Sequence, residues 1–178
     1  MSDGRIPVSN SRASIRFVAC ATLALLPLTV SAVEDSHCVL PERAVFSCTT
    51  GTKIIAVCRS QDLSASSGTL QYRFGRPAAV ELSYPPPGTD WRAVTRGGTL
   101  TYSGGGGAWL AFTNAPYRYV VYSAVGKGWG SKAGVVVEKS GKRIANLACK
   151  GKAVSELGLD LFSQVGIEEA EDGFELPR

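Results

Sequence analysis

Histidine is nearly absent from this sequence, because His37 is the only one among 178 residues. Proton transfer near neutral pH most often uses an imidazole, and this one lies next to Cys38, where we expect it to be solvent-exposed. The carboxylates Glu81, Asp90 and Glu138 form no motif with one another and are interpreted as surface charges. The sequence therefore predicts a protein that is not an enzyme.

Motifs for phosphate and nucleic acid are also missing. The glycine-rich stretch 126–132 lacks the glycine–lysine–hydroxyl ending of a phosphate-binding loop, so we expect no nucleotide or other cofactor. Aromatic and basic residues do alternate in a pattern that could stack single-stranded nucleic acid, at Tyr117, Arg118, Tyr119, Tyr122, Lys127 and Trp129. Aromatics are enriched in strands generally, however, and we predict no nucleic-acid partner.

A hydrophobic run long enough to span a membrane is lacking as well. The longest apolar stretch, 17–30, is shorter than the roughly 20 residues that a spanning helix needs, and Pro27 interrupts it. Arg5, Arg12 and Arg16 precede it, and it ends in Val30, Ser31 and Ala32. This pattern predicts a signal peptide over 1–32 that is cleaved after Ala32, a membrane anchor being the competing interpretation. The mature chain is then periplasmic or secreted, without a membrane span.

Five cysteines are present, and Cys20 would leave with the signal peptide. The remaining four suit an oxidising compartment and predict two disulfides, but their spacing does not decide among three possible connectivities. We favour Cys48 with Cys149, which ties the first strand to the last, and Cys38 with Cys58, which pins the N-terminal arm to the first hairpin. Spacings of ten residues match no zinc-binding loop, so no metal is expected.

Charge is unevenly distributed along the chain. Residues 33–152 carry 15 basic and 7 acidic side chains, whereas residues 153–178 carry 1 basic and 7 acidic. Few apolar residues and no periodicity follow Gly166, which predicts a loosely held tail. The opposite charges of the two segments suggest the alternative hypothesis that the tail docks on the basic domain.

Short alternating segments separated by turn residues dominate residues 33–152. Nine strands are predicted, over 44–48, 53–58, 69–74, 79–84, 98–103, 108–113, 116–124, 134–139 and 142–149. This pattern is typical of a small all-β antiparallel meander, either a barrel or a sandwich of about eight or nine strands. One short C-terminal helix is predicted over 155–165, capped by Ser155, with Leu157, Leu161 and Val165 on one face. Residues 153–178 thus form the helix and the acidic tail.

The central part of this pattern has a counterpart in a known family. The segment 101–108, an aromatic-rich strand ending in 119–122 and a last strand closing on Cys149 resemble the periplasmic inhibitors of c-type and i-type lysozymes. The similarity covers residues 46–149. It implies an exported all-β barrel in which a cysteine links an early strand to the last one.

In that family a Ser-Gly loop enters the lysozyme cleft and contacts its catalytic acids. The resemblance assigns this role to Ser103 and Gly104, followed by Gly105, and predicts a protein partner, lysozyme or a similar wall hydrolase. Lys127 would add a contact with the acidic cleft, and the loop would be supported by Tyr102, Trp109, Tyr119 and Tyr122. Gly104–Gly107 could equally form only a bulged turn. Other functions that fit an exported β domain are binding of anionic cell-envelope polymers and immunity to a secreted toxin.

Overall fold

Ten strands and two short helices make up the part of the chain that the computed structural model describes, namely residues 1, 36–171 and 173–178. The predicted signal peptide therefore lies almost entirely outside the described residues. The strands are β1 (Arg43–Thr49), β2 (Ile54–Arg59), β3 (Leu70–Arg76), β4 (Ala79–Tyr84), β5 (Thr95–Tyr102), β6 (Gly105–Asn114), β7 (Tyr117–Gly126), β8 (Gly130–Lys139), β9 (Lys142–Ala148) and β10 (Val154–Ser155). The helices are α1 (Trp91–Val94) and α2 (Leu159–Val165).

The strands form two antiparallel sheets of five. The first has the order β10-β1-β2-β3-β4 and the second is the meander β5-β6-β7-β8-β9. One core lies between them, where Tyr72 of the first sheet stacks on Tyr119 of the second at 5.3 Å between ring centroids. This arrangement confirms the all-β prediction and corresponds to the sandwich, one of the two predicted architectures.

Side-chain alternation explains why the strands were predictable. Along β6, Phe112 points into the core between the sheets whereas Trp109 lies on the outer face, as expected for residues on opposite faces of a strand. Along β7, Val121 faces the core and its neighbour Tyr122 faces outward. Both faces of the second sheet are thus apolar, and each needs a covering layer.

Two disulfides join the favoured cysteines. Cys38 bonds to Cys58, and Cys48 bonds to Cys149. The second bond joins β1 of the first sheet to the residue that follows β9 of the second. It therefore links the two sheets covalently. Disulfides of this kind are typical of extracytoplasmic proteins.

In the N-terminal arm, residues 36–42, the prediction that His37 is solvent-exposed is wrong. This side chain is buried, and its Nε2 lies 3.2 Å from the backbone oxygen of Gly75. The neighbouring Cys38–Cys58 bond carries the arm onto the outer face of the first sheet, over Ile54 and Ala56. His37 is thus a packed structural residue instead of an exposed one.

The predicted C-terminal helix begins later than expected. Val154 and Ser155 form β10, which pairs with Ser47 and Phe46 of β1, so that Ser155 is a strand residue and not a helix cap. Helix α2 starts after Gly158, which provides no side-chain cap, and buries Leu161 and Val165 as predicted. Pairing with the edge of the first sheet overrides the local helical pattern.

The acidic tail also differs from the expectation of a loosely held segment. Phe174 is only 7% exposed and packs on the outer face of the second sheet, and Arg96 forms a 3.0 Å ion pair with Glu168. These contacts agree with the alternative hypothesis of a docked tail. Apolar residues are few in the tail, but one aromatic side chain finds a matching surface.

Within the described residues, no helix has the length and apolar character required to cross a membrane.

Candidate functional site

Two hairpin turns meet at one end of the second sheet. The β5–β6 turn consists of Ser103 and Gly104, because Tyr102 pairs with Gly105. The β7–β8 turn consists of residues 127–129 between Gly126 and Gly130. Gly105 also pairs with Gly126, so the two turns are neighbours at the same end of the sheet.

A backbone hydrogen bond joins the turns. The amide of Lys127 donates to the carbonyl oxygen of Gly104 over 3.1 Å. Gly104 has a φ of +74°, and a Cβ at this residue would lie 3.0 Å from the Cβ of Lys127. Glycine is therefore required here both by the backbone conformation and by the close contact. The bond makes the two hairpin ends one structural unit.

Trp129 provides the aromatic part of this unit. Its ring lies on Gly126, where a Cβ would be 2.2 Å from the ring carbons, and meets Tyr102 edge-on at 6.1 Å between centroids. The Nζ of Lys132 lies 5.4 Å from the Trp129 centroid. Burial raises the pKa of Tyr102 above its ordinary value. We name Tyr102, Ser103, Gly104, Lys127 and Trp129 the tip surface.

The tip surface is exposed and basic. Trp129 is 39% exposed and the nearby Val125 is 56% exposed, which is unusual for such large apolar side chains. The two hairpin ends, residues 99–107 and 123–133, contain two lysines and no acidic residue. An acidic protein surface would therefore complement the tip surface.

A cleft of about 690 Å³ opens beside the tip surface. Its walls are mainly glycine, alanine and serine, and its charged side chains are Lys132, Lys152 and Arg178. No Asp, Glu or His side chain is among the residues that line it. The cleft therefore presents hydroxyl groups and positive charge, a lining that suits the binding of anionic groups.

The structure brings together five of the eight residues assigned to partner binding, namely Tyr102, Ser103, Gly104, Gly105 and Lys127. The other three do not support the loop. Trp109 and Tyr122 lie beneath Phe174, at 5.9 and 5.7 Å between centroids. Tyr119 is paired with Phe112 near the opposite end of β7 and faces the core, because the strand turns this side chain inward.

The possible array of nucleic-acid-binding residues is likewise divided. Tyr117 and Arg118 lie at the opposite end of β7 from Lys127 and Trp129, and Arg118 is paired with Glu138 at 3.0 Å. Tyr122 is buried, and its pKa is raised by burial. These residues do not share one exposed stacking surface.

Sequence reasoning did not place Trp129, or Lys132 which lies over its ring, beside the Ser103–Gly104 turn. The signal was present in the sequence, since both residues follow Gly126 and Lys127 in a short glycine-rich turn. What could not be read was the contact between this turn and Ser103–Gly104, which depends on the register of β6 with β7.

Comparisons with protein families, with curated proteins and with solved structures found no match.

Proposed function

We propose that the chain is an exported binding protein that inhibits a lysozyme or a similar wall hydrolase by inserting the tip surface into the enzyme's acidic cleft. The main support is the hydrogen bond between Lys127 and Gly104, which holds a basic side chain beside the Ser103–Gly104 turn. The resemblance to lysozyme inhibitors rests on this same turn. Lys127 was already assigned to this site from the sequence, and Trp129 is a further side chain beside the turn.

The two hairpin turns at this end of the second sheet are rigid, and this is the physical reason for assigning recognition to them. Antiparallel pairing continues through β5, β6, β7 and β8 up to both turns, so the backbone there is already ordered before a partner binds. Ordering a flexible loop on binding costs free energy, and a preformed loop avoids most of that cost. A two-residue turn is also narrow enough to enter a cleft.

Charge and aromatic area supply the contact chemistry. Lys127 would form an ion pair with a carboxylate at the floor of the enzyme cleft, in a region that becomes desolvated on binding. Trp129 would bury its exposed ring against the cleft rim, as aromatic residues commonly do at the centre of interfaces. Ser103 would donate a hydrogen bond to the same acidic groups.

The test is an inhibition panel of c-type, g-type and i-type lysozymes with the purified mature protein. We expect inhibition of at least one class, and Ser103→Arg should weaken it by about thirtyfold or more because the added side chain blocks insertion. The matched control is Ser140→Arg, which changes the serine of the Ser-Gly turn at the opposite end of β8. Absence of inhibition, or equal loss in both variants, would contradict the proposal.

The basic cleft favours a second candidate, binding of anionic cell-envelope polymers. Lys132 and Lys152 line a space without acidic side chains directly beside the tip surface. Binding of this kind should be steeply weakened by salt. Sedimentation with lipopolysaccharide or peptidoglycan at low and high salt distinguishes it from inhibition of a wall hydrolase, and loss of sedimentation in Lys132→Glu with Lys152→Glu would support it.

A further inference from the structure

The outer face of the second sheet is apolar although a core already covers the inner face. An antiparallel sheet commonly leaves one face to solvent. Here the outer face carries a second buried cluster, which we name the outer-face groove and define by Trp109, Ala111, Val120, Tyr122 and Val136. Such a surface requires an apolar partner to exclude water from it.

The chain's own C-terminal segment, described at residues 167–171 and 173–178, covers this groove. Phe174 lies between Trp109 and Tyr122, with centroid distances of 5.9 and 5.7 Å, and is 7% exposed. Leu176, two residues further on, packs against the same cluster. The segment therefore binds through one aromatic anchor and one aliphatic side chain.

The other contacts of the segment mostly involve its backbone. Gly97 donates its amide to Glu168 over 3.1 Å and accepts from the Ala170 amide over 3.0 Å, which makes a single parallel bridge on the free edge of β5. Arg143 donates to the carbonyl oxygen of Glu175 over 2.9 Å. Lys132 donates to the carbonyl oxygen of Pro177 over 3.1 Å. Backbone contacts at a sheet edge together with an anchored side chain are how many domains bind extended peptides.

Charge around the groove matches the segment. The basic side chains of Arg96, Lys132 and Arg143 all contact it, and the segment itself contains four glutamates and an aspartate. The segment also leaves space, because a cleft of about 380 Å³ remains between β5 and residues 169–170 and 173–176. Beneath the segment the residues of the outer-face groove are at most 2% exposed, and the separate contacts given above hold the segment in place.

We propose that the outer-face groove is a peptide-docking site, occupied in the free protein by the chain's own tail, that takes an extended acidic peptide with a Phe-x-Leu anchor from a partner protein. The tail shows the chemistry that the groove recognises: a phenylalanine between Trp109 and Tyr122, an aliphatic residue two positions later and acidic residues before them. None of these contacts requires the ligand to be joined covalently to α2. This proposal does not depend on lysozyme inhibition, because the groove and the tip surface use different side chains of the second sheet.

The direct test is fluorescence anisotropy with a labelled peptide of residues 167–178, titrated into three full-length chains. In Phe174→Ala the resident tail loses its anchor, so the peptide should bind this chain at least about tenfold more tightly than the native chain. Leu159→Ala, which shortens an exposed side chain on α2, is the matched control and should behave like the native chain. A peptide with alanine in place of its phenylalanine should bind none of them.

Equal peptide binding to all three chains, or binding that does not require the peptide's phenylalanine, would overturn the proposal. A dimer of the native protein formed by exchanged tails would also overturn it, since the occupant would then be a second copy. A second measurement covers the case in which Phe174→Ala does not fold. In the native chain the amides of Gly97 and Ala170 should exchange hydrogen at least about a hundredfold faster than those of the β6–β7 ladder, because the tail opens by itself. Equal exchange rates would show a permanently attached tail and overturn the proposal.

Discussion

The carboxylate of Glu42 receives two parallel hydrogen bonds from the guanidinium of Arg73, each 2.6 Å long. Glu42 lies in the N-terminal arm and Arg73 lies on β3. Arg73 also donates to the backbone oxygen of His37 over 2.8 Å. This pair therefore fastens the arm to the first sheet on the side where Cys38 is bonded to Cys58.

The Glu42–Arg73 pair predicts a specific pH dependence of stability. Burial raises the pKa of Glu42, but hydrogen bonds from Arg73 and the Val39 amide, with the charge of Arg73, outweigh this effect and hold the pKa below its ordinary value of 4.5. A carboxylate with a lowered folded-state pKa stabilises the fold above its unfolded-state pKa, and this contribution is lost as pH falls through the folded-state value. Glu42→Gln should cost about 1.5–3 kcal/mol at pH 7, measured by urea unfolding.

Measurements at low pH distinguish the loss of the Glu42 charge from a general loss of packing in the Glu42→Gln variant. As pH falls from 4.5 through the lower folded-state pKa of Glu42, the difference in stability between the native chain and Glu42→Gln should shrink, because the native carboxylate then becomes protonated and loses its charge. Glu81→Gln removes a surface ion pair with Lys53 and should cost much less at pH 7. An undiminished difference at low pH, or equal losses in both variants, would contradict this role of Glu42.

The two disulfides should differ in their contribution to stability. Cys48 and Cys149 are 101 residues apart, whereas Cys38 and Cys58 are 20 apart. A longer loop restricts the unfolded chain more, so replacing Cys48 and Cys149 by alanine should cost about 4.7 kcal/mol, and replacing the other pair about 3 kcal/mol. Urea unfolding of the two double variants measures the difference. A larger loss from the Cys38–Cys58 pair would argue that anchoring of the arm outweighs chain entropy.

Gly126 determines the position of the Trp129 ring. A Cβ at Gly126 would lie 2.2 Å from the ring, so Gly126→Ala must displace the indole and should destabilise the fold by about 1–3 kcal/mol. Trp91 and Trp109 are 3% and 2% exposed, so acrylamide quenching of fluorescence reports mainly on Trp129. Quenching should increase in Gly126→Ala. Gly158→Ala, at a residue where an added Cβ meets no atom within 4 Å, should leave quenching unchanged.

Charge reversal tests the electrostatic part of the proposed function. Lys127→Glu should weaken binding to the inhibited hydrolase by about ten- to a hundredfold, because it places a carboxylate opposite the acidic cleft. Lys139→Glu is the matched control at the opposite end of β8, where the lysine lies over the Tyr117 ring. Surface plasmon resonance at two salt concentrations measures both affinities. Equal weakening would show long-range attraction by the net charge instead of contact through Lys127.

The strands were predictable because the alternation of apolar and polar residues that indicates a strand lies within each short segment. Leu70, Tyr72 and Phe74 alternate with polar residues, and all three contact the core between the sheets. The nine predicted strands correspond to β1–β9, with boundaries that differ by a few residues. The favoured disulfide partners are the ones that form, although the cysteine spacing alone left the other two connectivities open.

Long-range pairing explains what could not be predicted. Nothing in Val154–Ser155 alone indicates a strand, because β10 exists only through its contact with β1. The same holds for Phe174, whose place over Trp109 depends on how the tail crosses a sheet that lies far from it in sequence. His37 is buried for a related reason, since a disulfide at its neighbour directs the arm inward. The tip surface likewise combines two turns that are separated by β6 and β7.

Hydrogen–deuterium exchange of the protein, alone and with a lysozyme of each class, is the most direct test of the proposed recognition by the tip surface. We predict that slowing of amide exchange on binding is concentrated in residues 102–105 and 126–130, the two turns joined by Lys127 and Gly104. Protection confined to the opposite end of the second sheet, around Pro116 and Ser140, would contradict the account, as would unchanged exchange with all three lysozyme classes.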